Sequence, residues 1–285
     1  MLPRFSDLLE AIKFEHTLFA LPFALLSLFL ASDGFPRLDV FFWVLVAMVG
    51  ARSSAMMMNR IADRHLDAAN PRTATRHLPT GRLRLWEAWA FTLVSAALLV
   101  IAAWRLNLLA LRLAPLALAV IWSYSWTKRF TWASHLWLGL ALGLAPLGAW
   151  IAVRGRLETL PVLLAAGVLL WVAGFDTIYA CQDAEFDRDH GLHSLPARFG
   201  VRSALRLAQV FHIAMLLVFV GLGFAYGFGW IYWVGIALVA LLVSAQHALV
   251  RGGDLRQIDV AFFNLNSIVG VLLLTVALAD RFLLG

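Results

Sequence analysis

The chain has 285 residues, of which 62% are hydrophobic and 14% are charged. Soluble globular proteins contain about 45–50% apolar and about 25% charged residues, so this composition excludes an ordinary soluble domain and indicates an integral membrane protein. The formal charge of +6 does not indicate nucleic-acid binding, because the basic residues stand in short connections between apolar runs rather than on one solvated face.

The apolar runs predict the fold in chain order. Phe5, Leu8, Leu9 and Ile12 have helical spacing, so about the first 14 residues are predicted to form an amphipathic helix on the membrane surface. The later runs are solidly apolar instead of alternating, which favours membrane-spanning helices over a barrel. We expect an all-α polytopic membrane protein, a bundle of about nine transmembrane helices, in one domain over residues 1–285. The predicted spans are residues 17–31, 40–58, 88–104, 113–125, 132–153, 159–182, 205–224, 230–249 and 260–279.

Basic residues cluster in the connections after the second, fourth, sixth and eighth spans. By the positive-inside rule these four connections face the cytoplasm. An odd number of spans then places the N-terminus inside and Gly285 outside. We expect a multi-pass protein of a bacterial-type inner (plasma) membrane. The basic residues concerned are Arg60, Arg64, Arg72, Arg76, Arg82, Arg84, Lys128, Arg129, Arg188, Arg198, Arg202, Arg251 and Arg256.

A first set of polar side chains stands at the end of the second span. Asn59, Asp63 and Asp67 are four residues apart, so on a helix they share one face. Three oxygen-bearing groups aligned at a membrane boundary are costly unless a cation lies between them. Hard oxygen ligands of this kind suit Mg²⁺.

A second set stands at the end of the sixth span. Asp176, Tyr179, Asp183 and Asp187 are separated by three, four and four residues, which predicts another stripe on one helix. Two acidic sets at cytoplasmic helix ends are expected to face each other across one cavity. With Mg²⁺ between them they would bind a diphosphate, because magnesium bridges carboxylates and phosphate oxygens.

Basic residues beside both sets fit such a ligand. Arg72 and Arg76 come after the first set, and Tyr124, Lys128 and Arg129 end the fourth span. Cations around a leaving diphosphate stabilise the charge that develops on it. The same arginines and lysine could instead serve only to orient the chain in the membrane.

Together these motifs resemble the UbiA superfamily of intramembrane aromatic prenyltransferases, and in particular its 4-hydroxybenzoate polyprenyltransferases. Asn59, Asp63 and Asp67 match the first family motif, Asn-Asp-x-x-Asp-x-x-x-Asp, with Arg60 in place of the usual aspartate at its second position. Asp183 and Asp187, preceded by Asp176 and Tyr179, match the second motif. Tyr124 and Lys128 match a Tyr-x-x-x-Lys element. The likeness includes residues 13–17, and Arg76 to Gly81 match a further segment, in which His77 replaces a proline.

The resemblance implies roles for these residues. It assigns Mg²⁺ to Asn59, Asp63, Asp67, Asp183 and Asp187, with Asp63, Asp67, Asp183, Asp187 and Lys128 acting in catalysis. It assigns substrate binding to Arg52, Asn59, Arg72, Arg76, Tyr124, Arg129, Asp176 and Tyr179. Arg52 lies two turns before Asn59 on the same helix face, and a guanidinium there matches the carboxylate of an aromatic acid.

The resulting hypothesis is Mg²⁺-dependent transfer of an isoprenyl or polyprenyl group from its diphosphate to a ring carbon of an aromatic acid. The expected acceptor is 4-hydroxybenzoate, in ubiquinone biosynthesis, in a cavity open to membrane lipid and without any nucleic-acid partner. A naphthoate-type or other aromatic acceptor in menaquinone biosynthesis is one alternative. A cation-coupled transporter is another, although transporters are expected to place carboxylates near the bilayer midplane.

Overall fold

The computed structural model describes residues 5–13, 19–258 and 263–284. Within these ranges the chain is helical and contains no strand, which confirms the all-α prediction. Eight helices are long and apolar enough to cross a membrane, and the shorter apolar helix Leu21–Ala31 adds a ninth to the described part. The helices are α1 (Phe5–Ala11), α2 (Leu21–Ala31), α3 (Leu38–Ala69), α4 (Leu85–Leu106), α5 (Leu108–Thr127), α6 (Ser134–Arg154), α7 (Thr159–Ala180), α8 (Ala184–Asp189), α9 (Leu195–Phe199), α10 (Val201–Tyr226), α11 (Trp230–Leu249) and α12 (Leu265–Leu283).

Most predicted spans coincide with these helices. The predicted N-terminal helix is observed over Phe5–Ala11. The starts of the first and last predicted spans, and the family-like residues 14–17, lie outside the described residues. The second span is longer than expected, because α3 continues to Ala69. Arg60 and Arg64, for which the sequence predicts a loop, are therefore helical.

The end of α3 is set by local sequence. No glycine or proline interrupts residues 51–69, and the first helix-breaking residue after them is Pro71. The backbone then turns at Asn70, whose side-chain oxygen accepts a hydrogen bond from Arg72 N at 3.0 Å. The whole Asn59–Asp67 stretch consequently lies on one continuous helix.

The chain divides into two compact units. One comprises Met1–Thr17 and Leu38–Trp126. In it α3 packs against α4, where Ser54 Oγ donates to Thr92 O at 3.1 Å. Trp122 Nε1 of α5 donates to Ser54 Oγ at 2.9 Å. Hydrogen bonds thus connect α3 to both of the next two helices. The prediction of one domain stays a prediction.

The other unit comprises Leu18–Arg37 and Thr127–Gly285. Its core is aromatic, with Phe23, Trp171 and Phe219 almost completely buried. The indole Nε1 of Trp171 donates to Asn266 Oδ1 at 2.9 Å, which links α7 to α12. Asn266 therefore serves helix-to-helix hydrogen bonding, as membrane helices commonly use such side chains.

Gly139 allows the close approach of α6 and α7. A Cβ atom at this position would overlap the backbone oxygen of Leu169, whereas one at Gly148 of the same helix meets nothing within 4 Å. We expect Gly139→Ala to destabilise the protein by about 1–3 kcal/mol. Thermal unfolding in detergent, followed by tryptophan fluorescence, measures the melting temperature. It should be clearly lower for Gly139→Ala than for the wild type and nearly unchanged for Gly148→Ala. Equal melting temperatures for the two variants would refute this packing role.

Candidate functional site

The acidic face of α3 is formed as the spacing predicts. Asn59 Nδ2 donates to Asp63 Oδ2 at 3.0 Å, one helical turn along. Asp63 is 4% exposed and Asp67 is 6% exposed. Two carboxylates held this deeply require compensating positive charge.

Arg76 supplies part of that charge. Its Nη1 atom lies 2.6 Å from Asp67 Oδ1. The other oxygen, Asp67 Oδ2, is buried, and no hydrogen-bond donor reaches it among the described residues. A buried carboxylate oxygen without a donor, on the same face as Asp63 and the amide Asn59, fits a hard divalent cation such as Mg²⁺.

A cavity of about 310 Å³ opens beside Asp67 and Arg76. Its wall combines residues of α1, α3 and the segment after α3. Its lining residues include the cationic side chains Lys13, Arg60 and Arg76 and the carboxylates Glu10 and Asp67. Arg76 is paired with Asp67, so the cations outnumber the carboxylates only slightly, and the excess favours an anionic ligand. Arg72 is exposed and is not among the lining residues. The lining residues are Glu10, Ala11, Lys13, Arg60, Asp67, Thr75, Arg76, His77, Leu78, Pro79 and Leu83.

Two arginines of α3 contact the end of α1. Arg60 Nε donates to Ala11 O at 3.0 Å, and Arg60 Nη1 lies 3.4 Å from Asn59 Oδ1. Arg52 Nη2 donates to Lys13 O at 3.0 Å. Tyr124 of α5 interacts electrostatically with the Arg60 guanidinium. Arg60, the departure from the family motif, is thus a buried contact between helices; nothing in the sequence around it indicates its partner.

The second acidic set differs from the predicted stripe. The α-helix α7 ends at Ala180, a 3₁₀ turn covers Cys181–Asp183, and α8 begins at Ala184. The prediction of one continuous helical stripe is wrong, because a 3₁₀ turn has about three residues per turn and shifts the register of the residues after it. Asp187 is still 5% exposed. It has a hydrogen bond with Ser194 and interacts electrostatically with Lys128 and Asp183.

Asp176 has a protein partner that the sequence does not reveal. His135 Nδ1 lies 2.7 Å from Asp176 Oδ2, and His135 Nε2 accepts from Leu195 N at 3.3 Å. Since Nε2 is the acceptor, Nδ1 is the nitrogen that donates to the carboxylate. His135 therefore connects α7 to the segment after α8.

The other predicted residues of this unit lie near that segment. The backbone oxygen of Lys128 accepts from His193 N at 2.6 Å. Arg129 and Tyr179 are both partly buried, and Tyr179 O accepts from Gln182 Nε2 at 3.4 Å. The bond to His193 thus ties Lys128 to the segment between α8 and α9. The prediction that both acidic sets grip one diphosphate stays a prediction.

The apolar helices and the buried acidic face of α3 define a multi-pass membrane protein with a candidate cation site. The UbiA prenyltransferase family matches residues 20–268. The chain belongs to this family. The prediction of an aromatic prenyltransferase is confirmed, and the transporter alternative finds no support.

Curated relatives cover nearly the whole chain. A 4-hydroxybenzoate octaprenyltransferase from Paraburkholderia phytofirmans is 30% identical over 276 residues, covering 97% of this chain and 96% of the relative. One from Neisseria meningitidis serogroup B is 32% identical over 256 residues, covering 90% of this chain and 86% of the relative.

Solved structures show the same fold. A UbiA homologue from Aeropyrum pernix K1 superimposes with a TM-score of 0.85 at 39% identity, covering 93% of this chain and 98% of that one. A UbiA homologue from Archaeoglobus fulgidus, bound to DMAPP and Mg²⁺, superimposes with a TM-score of 0.74 at 20% identity, covering 98% of this chain and 100% of that one.

Proposed function

We propose that this protein transfers an isoprenyl or polyprenyl group from its diphosphate to a ring carbon of 4-hydroxybenzoate. The observation that carries the proposal is the helix face of Asn59, Asp63 and Asp67, whose two carboxylates are buried. Arg76 binds one oxygen of Asp67, and the other oxygen has no donor among the described residues. The names of the curated relatives support 4-hydroxybenzoate as the acceptor. The naphthoate-type acceptor stays as the alternative within the same reaction class.

The proposed metal site uses oxygen ligands from both acidic sets. Asn59, Asp63 and Asp67 of α3, with Asp183 and Asp187, are the residues that would hold Mg²⁺. When bound, the ion would neutralise diphosphate oxygens and so favour departure of the leaving group. The Mg²⁺ in the structure of the Archaeoglobus fulgidus homologue supports this proposal.

The protein's own cations stabilise the leaving group in the proposed reaction. The bond between the allylic carbon and the diphosphate oxygen breaks, and the electron pair stays on the diphosphate. Arg72, Arg76, Lys128 and Arg129 are the proposed residues that bind this developing charge. Asp176 would act through His135, which it holds at 2.7 Å.

The acceptor supplies the electrons for the new bond. A ring carbon beside the phenol hydroxyl attacks the allylic carbon, a carbon–carbon bond forms, and loss of the ring proton restores aromaticity. Arg52 would orient the acceptor carboxylate, and Tyr124 and Tyr179 would complete the substrate contacts. No redox cofactor is required, because the reaction involves no net oxidation or reduction by another molecule.

A substrate panel tests the proposed acceptor. The purified protein in lipid nanodiscs would receive geranyl diphosphate, Mg²⁺ and one of several aromatic acids, and products would be identified by mass spectrometry. We expect prenylated 4-hydroxybenzoate to predominate. Preferential prenylation of a naphthoate acid would show that 4-hydroxybenzoate is not the acceptor but would support the proposed reaction class. No product with any acceptor would refute the proposal.

Arg52 offers a specific prediction on acceptor choice. Because a guanidinium pairs with a carboxylate, the wild type should prefer 4-hydroxybenzoate to its methyl ester. Arg52→Met should lower that preference by about 10–100-fold, the effect expected for losing one hydrogen bond to a charged group. The ratio of kcat/KM values for acid and ester measures it. An unchanged ratio would show that Arg52 does not bind the carboxylate.

We also propose that the connections rich in arginine face the cytoplasm. Their distribution along the chain supports this orientation. Single cysteines introduced at Thr80 and at Gly155 in a Cys181→Ala background would be labelled with a membrane-impermeant maleimide in intact cells. Labelling only at position 155 is expected. Labelling only at position 80 would show that the arginine-rich connections face away from the cytoplasm.

A further inference from the structure

The C-terminal end of α1 is attached to α3 by polar and apolar contacts. Ala11 is the last residue of α1, so its carbonyl oxygen has no partner within the helix. Arg60 Nε donates to this oxygen at 3.0 Å. Next to it, Ile12 is 1% exposed and packs in a cluster with Met57 and Ile61 of α3.

Two further side chains of the segment after α3 lie close to carboxylates of α1. Arg82 Nη2 lies 3.3 Å from Asp7 Oδ1. His77 Nε2 lies 3.5 Å from Glu10 Oε2. These pairs are partly exposed at their carboxylate ends and are therefore individually weak. Arg60 is 7% exposed, so its bond to α1 is better shielded from water than either of these pairs.

The attached end of α1 forms part of the cavity beside Asp67. Glu10, Ala11 and Lys13 line the cavity of about 310 Å³ that also contains Asp67 and Arg76. If α1 moved away, this cavity would lose one wall and the cation Lys13. The arrangement of α1 therefore determines how completely the cavity can surround an anionic group.

We infer that Arg60 is a positioning residue, which holds α1 as a wall of the anion-binding cavity through the bond from Nε to Ala11 O. This inference rests on the proposed function for the identity of the anion, a diphosphate. Arg60 also lines this cavity, so the test separates its action through α1 from a direct action of its charge on the anion. Its loss should release residues 5–13 and weaken diphosphate binding together.

Two substitutions separate positioning from charge. Glutamine places an N–H donor at the position of arginine Nε but carries no charge, whereas methionine has similar length and no donor. A positioning role predicts that Arg60→Gln keeps α1 attached and that Arg60→Met does not. Arg64→Met is the matched control, because Arg64 Nη1 bonds within its own helix, to Ile61 O at 3.0 Å.

The experiment measures hydrogen exchange of residues 5–13 and affinity for inorganic diphosphate with Mg²⁺, using the full chain in nanodiscs. Arg60→Met should raise exchange and weaken diphosphate binding by about tenfold each, as expected for losing a charge-assisted hydrogen bond. Arg60→Gln should change both by no more than about threefold, well short of that loss. Arg64→Met should resemble the wild type in exchange.

Two patterns would overturn the inference. Equal loss of affinity in both Arg60 variants with α1 still protected would show that the charge acts directly on the ligand. Release of α1 without loss of affinity would show a purely structural contact.

A measurement on the wild type keeps the test valid if Arg60→Met does not fold. Binding at a cavity whose wall is α1 must stabilise α1, since such coupling is reciprocal. Saturating diphosphate with Mg²⁺ should therefore slow exchange of residues 5–13, and unchanged exchange would count against the inference. Prenyl transfer is assayed separately, so absence of product with intact diphosphate binding would refute the proposed function alone.

Discussion

Replacing Asp63 with alanine is expected to reduce prenyl transfer by about 10²–10³-fold or more, the range measured when one stabilising group is removed from an active site. Asp63 is buried, and its Oδ2 atom holds the Asn59 amide at 3.0 Å. Its loss removes a proposed Mg²⁺ ligand and also releases Asn59. The measurement is the initial rate of transfer of a labelled prenyl group to 4-hydroxybenzoate in nanodiscs.

Asp39 provides the control for this substitution. It is an aspartate of the same helix, in the first turn of α3, and it is exposed. Asp39→Ala should leave the rate within about twofold of the wild type, because substitutions of exposed residues usually change free energies by no more than about 0.5 kcal/mol. Comparable rates for Asp63→Ala and Asp39→Ala would refute the proposal that α3 provides ligands for Mg²⁺.

The second large effect is expected at Asp187. Asp187→Asn keeps the shape of the side chain and one acceptor oxygen but removes the negative charge that interacts with Lys128. We expect a loss of transfer of about 10²-fold or more, because a neutral amide is a much weaker ligand for Mg²⁺ and no longer balances Lys128. The folded fraction should stay close to that of the wild type.

Asp189, two residues further along α8, is exposed and provides a matched control. Asp189→Asn makes the same chemical change outside the buried site. The relevant comparison is kcat for the two variants at saturating prenyl diphosphate. Full activity of Asp187→Asn would show that the second acidic set does not take part in catalysis.

The shared helix face of Asn59, Asp63 and Asp67 is well predicted from the sequence because its geometry is local. Asn59, Asp63 and Asp67 need only an uninterrupted helix to share one face, and nothing before Pro71 interrupts it. The second set is predicted less well. Its residues also have helical spacing, but the 3₁₀ turn at Cys181–Asp183 changes the register, and no glycine or proline marks that change.

The contacts that complete each half of the site are long-range. Arg60 and Ala11 are 49 residues apart, and His135 and Asp176 are 41 residues apart. Such pairs depend on how helices pack, which hydrophobic periodicity does not determine. His135 stands in an apolar span and has no metal-ligand spacing, so the sequence does not identify its partner; the structure shows that this partner is Asp176.

The most direct measurement of the central claim compares the two products of one reaction. Purified protein in nanodiscs would receive geranyl diphosphate and 4-hydroxybenzoate, and prenylated acid and released diphosphate would be quantified with Mg²⁺ and again after its removal by EDTA. Equal amounts of both products, formed only with the metal present, are predicted. Diphosphate release without prenylated acid, or undiminished product formation after metal removal, would contradict the claim.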